Sequence, residues 1–369
     1  MAENTSTFTG AAADGTALTA VYLTQPAANV AIGLVFAGSD LPHIVHWGRP
    51  LAKPDTLLAA YDALKPQRVS GALDDTAWPS VLPTQAESWI GEQRVVLRRA
   101  GVELFPKFTV TNIEAGGVLE ATLDAVSGES YTDARATGPV RVPGVIVTAR
   151  DEEQGVEVEW HLELLPGGLV RQKATVTNLF GADAGAQLEI GKIELGFPLP
   201  ESAGEILTTT GHHLRERSPQ RQPLTVGRFE KPQLAGRPDF DASLLLTAGV
   251  PGFGFEHGDA YSVHVGWSGN SVLSAERLPY TTGVIGGGEL LFGGEVTLAG
   301  PGEGQNSYDT PWLFGSYGDG LNEIAARFHS YVRSLHPRLF SHGRPVILNT
   351  WEAVYFDHNF GTLKALADR

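Results

Sequence analysis

The sequence predicts a mainly β protein, an enlarged antiparallel sandwich followed by a helix and one βα unit. Three observations carry this. Apolar residues alternate with period two through short runs as far as about residue 310, and Gly 44 and Pro 23 supply the turns between them. The period then changes to that of an amphipathic helix after Gly320, and an apolar strand pattern opens onto polar and aromatic groups at 344–359.

The β-rich runs come in order as "TALTAVYLTQ", "NVAIGLVFAG", "VELFPKFTVTNI", "GVIVTA", "VEVEWHLEL", "LVRQKATVTN", "AQLEIGKIELGF", "ASLLLTAG", "YSVHVGWSGNSVLSAE" and "ELLFGGEVTLAG". In the clearest, Val156, Val158, Trp160, Leu162 and Leu164 alternate with Glu157, Glu159, His161 and Glu163, which predicts one buried and one wet face. "PGG" at 166–168 turns the chain back, so Arg171 and Lys173 can oppose the glutamates across a hairpin. As exposed pairs they would contribute only about 0.2–1 kcal/mol each and set register more than stability. Such a series without intervening helices indicates an antiparallel sandwich, larger than an ordinary one.

"LNEIAARFHSYVRSL" (321–335) places Leu321, Ile324, Ala325, Phe328, Tyr331, Val332 and Leu335 on one face, with Asp319 as the expected N-cap and Pro337 as the stop. Val346-Ile347-Leu348 reads as a short buried strand, and "TLKALADR" as the start of a helix with Leu363 and Leu366 inward. A single parallel strand cannot bury its faces or satisfy its backbone alone.

Composition narrows function by exclusion. A formal charge of -15 argues against duplex nucleic acid and anionic membranes as partners. The absence of cysteine excludes disulfides, thiolate zinc sites and thiol nucleophiles. No run of about 18 apolar residues exists to cross a bilayer, and no signal segment is visible in "MAENTSTFTGAAADG", so a cytoplasmic location is expected. Among the 11 histidines, His43 and His46 form H-x-x-H, but on a strand this spacing points the rings to opposite faces, away from a common metal. No P-loop, G-x-S-x-G or strand-linked G-x-G-x-x-G is present. "TAWPSVLPTQAESWIG" (76–91) carries Trp78 and Trp89, with Asp74 and Asp75 just before it. Exposed indoles beside carboxylates suit sugar rings; the alternative is that both tryptophans plug the core.

The stretch "RPVILNTWEAVYFDHN" (344–359) resembles the segment with which glycoside hydrolase family 36 α-galactosidases begin their catalytic (β/α)8 barrel. Arg344-Pro345, Asn349, Trp351-Glu352-Ala353 and Tyr355-Phe356-Asp357 carry the match. "HIVHWGRPL" (43–51), "LPTQAESWIG" (82–91), "GHHLRERSPQRQPLTVG" (211–227), "GRPDFDAS" (236–243), "GWSGN" (266–270) and "SYDTPWLFGSYGDGLNEIAARFHSYVRS" (307–334) follow in the family's order. The resemblance implies an N-terminal β-supersandwich over 1–318, a linker helix and loop over 319–343, and the first βα unit of a truncated barrel over 344–369. It implies retaining hydrolysis of terminal α-galactosides such as melibiose and raffinose by two aspartates, without metal or organic cofactor. Retention places two carboxylates about 5–5.5 Å apart.

The family's Asp-Asp-Gly-Trp, Lys-Trp-Asp and Ser-Asp-Asn-type motifs are absent from the 369 residues, so nucleophile and acid/base are expected beyond Arg369 and the chain alone is expected to be inactive. The resemblance assigns Trp351 to a wall of the sugar pocket, at a strand end that faces a barrel's active site. Glu352 and Asp357 match family positions, with the orienting of a βα loop as an equal alternative. Trp89, Asp74 and Asp75 fall where the family's sandwich loop approaches a sugar site, in the same or a neighbouring subunit, which leaves homo-oligomerisation open. Rival readings are a non-catalytic carbohydrate-binding sandwich, an assembly module, and within the enzyme class an α-N-acetylgalactosaminidase or a galactosyltransferase.

Overall fold

A computed structural model of the chain describes residues 4–66, 78–121, 140–181, 187–241, 244–279, 283–335 and 345–369. Alternation is what builds its first sheet, an antiparallel meander of Thr5–Ala11, Ala17–Gln25, Val30–Ala37 and His43–Gly48. Successive side chains of Val30–Ala37 go to opposite faces. Ile32, Leu34 and Phe36 join the main core, while Ala31, Val35 and Ala37 join a second cluster. The helix Leu57–Leu64 closes that second face with Leu57 and Tyr61. Gly33 makes its approach feasible, because a Cβ there would stand 2.6 Å from Leu57 Cδ2. The strand Thr5–Ala11 is too polar for its pattern to show in the sequence; it pairs with its neighbour in the register Thr7↔Val21.

A ten-stranded antiparallel sheet forms the main layer. Across it run Arg215–Pro223, Glu205–His212, Leu246–Gly249, Asp259–Val265, Leu313–Asp319, Val170–Asn178, Val156–Leu164, Val140–Asp151 and Thr109–Ala121, with Ser307–Asp309 also pairing Val170–Asn178. Two four-stranded sheets complete the sandwich. One runs Thr297–Leu298, Leu188–Ile193, Val95–Arg99, Val102–Leu104; the other runs Leu195–Leu199, Gly283–Glu289, Ser271–Arg277, Gly227–Gln233. All four sheets contribute side chains to one apolar core.

The hairpin expected at 156–178 is present, with Arg171 opposite Glu163 and Lys173 opposite His161. Trp160 is fully buried, and its indole N–H donates to Gln172 Oε1 at 2.9 Å. The expectation of weak exposed pairs is corrected at one position. Arg171 and Glu163 are both buried, 2.7 Å apart, with the guanidinium 4.1 Å from the Trp312 ring. The sheet's outer face is wet at Glu159 but dry here, because Trp312 lies over the pair.

The helix Leu321–Leu335 forms where its apolar stripe predicts and packs on Leu313–Asp319. Asp319 does not cap it: its Oδ1 accepts from Gly258 N and its Oδ2 meets Arg49, while Glu323 Oε2 accepts the Asp319 N–H. Buried Arg327, also unexpected, donates to the carbonyls of Tyr317 and Ala28 at 2.8 and 2.7 Å and pairs with Glu323. Gly168 leaves room for it, since a Cβ there would lie 2.4 Å from Arg327 Nη1. The expected stop at Pro337 lies outside the described residues.

At the end of the chain, residues 345–350 form no strand, which corrects the expectation for Val346–Leu348. Among the described residues no strand lies beside them to complete a ladder, and Val346 and Ile347 are fully or largely exposed. Two short helices follow, Trp351–Val354 and Phe360–Ala367, the second capped by Asn359 Oδ1 accepting from Thr362 N at 2.9 Å. No helix among the described residues is long and apolar enough to cross a membrane.

Candidate functional site

Two segments carry the residues singled out by sequence, and the structure treats them differently. The first is the loop from Trp78 to Arg94. Its prolines keep it out of any ladder, and Val81 and Leu82 pin it into the core. Thr84 Oγ1 donates to Pro106 O at 2.8 Å. Glu87 closes a turn over Gln85–Glu87, its Oε2 accepting from Thr84 N and Ser80 Oγ at 3.3 and 3.4 Å. Burial, helped by the charge of Asp40, pushes the Glu87 carboxyl up to about 7.

Trp89 is only 4% exposed and packs against Leu278 and Val284, while its indole N–H donates to Glu92 O at 2.8 Å. The expected stacking surface is therefore not offered by Trp89, whose ring is sealed against the face of the sheet Leu195–Leu199, Gly283–Glu289, Ser271–Arg277, Gly227–Gln233 that points away from the main core. Trp78 is half-buried and stacks on His43, ring centroids 4.0 Å apart. Burial drives the His43 imidazole down to about 4, and Nδ1 sits 3.0 Å from Pro79 O. His46 Nε2 is spent on Arg49 O at 2.8 Å. Among the described residues no group of three or more His, Asp or Glu is arranged to hold a metal ion. Asp74 and Asp75 lie outside the described residues.

Beneath this loop lies a buried charge cluster that sequence reading missed. Arg94, 1% exposed, reaches Glu194 at 2.9 Å and Glu276 at 3.3 Å. Arg228 meets Glu194 at 2.6 Å, and Lys192 lies 3.5 Å from it. Glu276 Oε1 also accepts from Glu92 N at 2.8 Å, which ties the loop to the cluster. Burial alone would raise the Glu194 carboxyl, but Arg94, Arg228 and Lys192 overturn that and hold it down at about 2. These groups come from four strands or strand ends far apart in sequence, and 42 acidic residues gave no means of choosing among them. The cleft beside Arg94, lined by Pro79, Ser80, Val81, Phe197 and Pro198, has a volume of about 20 Å³. That is room for a single water and too small for a sugar ring.

The second segment is 349–360. Trp351 is half exposed and meets Tyr355 and Phe356 edge-on, at 5.8 and 5.3 Å. Asn349 Oδ1 accepts from Trp351 N at 3.0 Å and starts the short helix. Glu352 and Asp357 are exposed on the same helix and the turn after it. The structure thus gathers Trp351, Glu352 and Asp357 on one exposed aromatic segment, while Trp89 is buried in a small cluster with Leu278 and Val284.

With this geometry in hand, similarity to known proteins decides the family. Residues 40–299 match the family model described as the glycosyl hydrolase family 36 N-terminal domain, and residues 307–369 match the Melibiase model. The chain belongs to glycosyl hydrolase family 36. An α-galactosidase from Escherichia coli is 31% identical over 225 residues, covering 60% of this chain and 31% of that protein. The α-galactosidase Mel36A from Lactobacillus acidophilus is 28% identical over 168 residues, covering 45% of this chain and 22% of the relative. In fold the chain resembles a variant of the family 36 α-galactosidase AgaA from Geobacillus stearothermophilus in complex with raffinose. The TM-score is 0.75 at 17% identity, covering 94% of this chain and 48% of that one. AgaB from the same organism gives a TM-score of 0.72 at 18% identity over 98% of this chain and 48% of its own. The chain thus spans about half the length of these solved structures, and about a third or less of the two curated relatives. The mainly antiparallel β fold expected from sequence is present and is similar to that of these family 36 α-galactosidases.

Proposed function

We propose that this chain is the N-terminal part of a retaining α-galactosidase acting on melibiose- or raffinose-type oligosaccharides. In this reading it supplies the supersandwich, 1–318, the linker helix and loop, 319–343, and the first βα unit of the barrel, 344–369. The observation that carries it is Asn349-x-Trp351-Glu352-Ala353, presented on an exposed segment within the Melibiase match and directly after a sandwich of this family. Val346 and Ile347 are the apolar faces that neighbouring parallel strands of a barrel would bury. Trp351 then stands at the pocket rim, where an indole stacks on the CH face of galactose, and Glu352 and Asp357 orient the loop or take hydroxyls. The loop 78–94 contributes from the sandwich side, held by the Arg94 cluster. Nucleophile and acid/base are two carboxylates outside these 369 residues, and no metal or organic cofactor takes part. A cytoplasmic location fits the same reading.

The test has two arms. The chain alone, mixed with an aryl α-galactoside, is expected to show no steady turnover; turnover would sink the assignment of chemistry to other residues. A protein extended through the codons that follow Arg369 is expected to release galactose from raffinose with retained anomeric configuration. If that reading frame lacks the aspartate motifs, or its product binds sugar without hydrolysis, the carbohydrate-binding reading replaces this one.

A further inference from the structure

The cavity of about 20 Å³ between the loop 78–94 and the sandwich has an unusual lining. Arg94 and Ser80 are the only polar side chains that reach it, and Pro79, Pro83 and Pro198 bring no N–H to its walls. Gly196 keeps it open: a Cβ there would stand 3.4 Å from Arg94 Nη1 and 2.5 Å from Val284 Cγ1.

Arg94 is 1% exposed, so each of its N–H groups needs an acceptor inside the protein. Nη1 donates to Glu194 Oε1 at 2.9 Å and Nη2 to Glu276 Oε2 at 3.3 Å. Nε is buried and has no acceptor among the described residues. Neither glutamate lines the cavity, which therefore meets the part of the guanidinium that the carboxylates leave uncovered. The charges around it do not balance on the buried side. Arg94, Arg228 and Lys192 share the carboxylates of Glu194 and Glu276. The further partners, Glu230 of Arg228 and Glu92 of Lys192, are 45% and 55% exposed, where solvent screens them. Ser80 Oγ supplies a second donor, because its contact to Glu87 Oε2 is long at 3.4 Å and the hydroxyl can turn.

We infer that this cavity is a binding site for one monatomic anion, chloride in ordinary buffers, held between Arg94 Nε and Ser80 Oγ. Two donors, an uncompensated cation and walls without a carboxylate select an anion over a cation. The volume admits a single small ion and excludes sulfate, phosphate or a carboxylate ligand. Bound there, the ion joins the loop through Ser80 to the sandwich through Arg94, beside the link that Glu276 already makes to Glu92 N. The inference stands independently of the proposed chemistry, and its failure would leave that reading untouched.

Diffraction from crystals of the chain grown in bromide tests it, bromide being an anomalous scatterer of the same class. One anomalous peak is expected in the cavity, within hydrogen-bond reach of Arg94 Nε and Ser80 Oγ. In solution the melting temperature is expected to rise with the logarithm of chloride concentration at constant ionic strength, with gluconate as the balancing anion. Ser80→Ala is expected to weaken halide binding about tenfold, the loss of one hydrogen bond to a charged group. Arg94→Lys keeps the charge but lacks Nε and is expected to abolish the peak; should that variant not fold, Ser80→Ala carries the comparison. Water alone in the cavity overturns the inference, and so does bromide found only on the outer surface as an adventitious ion. Melting that follows ionic strength but not halide, or a halide effect that Ser80→Ala leaves unchanged, overturns it as well.

Discussion

The loop at 78–94 and the segment at 345–360 both carry tryptophans beside carboxylates, yet one is buried and the other is bare. Trp89 is sealed in a small cluster with Leu278 and Val284, and the charges near it find partners within the chain. Trp351, Val346, Ile347 and Phe356 stand exposed, with ring contacts only to near neighbours in sequence. The difference teaches that similar composition says little about availability. Burial in the first segment is supplied by strands more than a hundred residues away, and the second has no such strands among the described residues. Stability should therefore depend steeply on the first and hardly at all on the second.

The largest expected effect comes from the charge cluster. Glu194→Gln removes the nearer of the two carboxylates that Arg94 and Arg228 share, leaving Glu276, and is expected to destabilise by about 3–5 kcal/mol in urea unfolding. The same glutamate predicts an acid limb. Its folded pKa of about 2 lies below the ordinary glutamate value of 4.5, so its contribution is present above about pH 4.5 and is lost as pH falls toward 2. A near-neutral substitution would show that the cluster merely accompanies the loop.

An intermediate effect, of opposite sign in pH, belongs to Glu87. Its folded pKa, raised from 4.5 to about 7, makes the protonated form the preferred one in the fold. The stabilisation is full below pH 4.5 and lost as pH rises through 7. Glu87→Gln mimics the protonated form, so its stability relative to wild type should be greater at pH 8 than at pH 5 by on the order of 1–3 kcal/mol. His43 contributes in the other direction, present above 6.5 and lost as pH falls toward 4, but it cancels when the two proteins are compared at each pH. A variant offset that does not change between pH 5 and 8 would remove Glu87 from the account.

The smallest effect is expected at the exposed segment. Trp351→Ala should change stability by no more than about 0.5 kcal/mol, as surface substitutions do. A loss comparable to that of Glu194→Gln would mean that the segment packs on the sandwich and that the contrast between the two regions is false.

Much of the β-body was legible because its signals are local. Alternation at 156–164 and the "PGG" turn specify a hairpin whose inward and outward sets differ by one residue, so its register follows from the pattern. The helix at 321–335 was equally legible from its stripe, though not its capping, since Asp319 is taken up by Arg49 and Gly258 from other parts of the chain. The short strand read at 346–348 did not form, because a strand is made by its neighbours as much as by its own residues.

The sequence by itself determined the family and the two-period plan of strands followed by a helix, since periodicity and motif order are properties of the chain in one dimension. Which tryptophan is sealed and which is bare, and which of 42 acidic residues face which arginines, was decided only in three dimensions. Arg94 meets Glu194 and Glu276 across separations of 100 and 182 residues, and no local pattern encodes a contact that the packing of several sheets brings about.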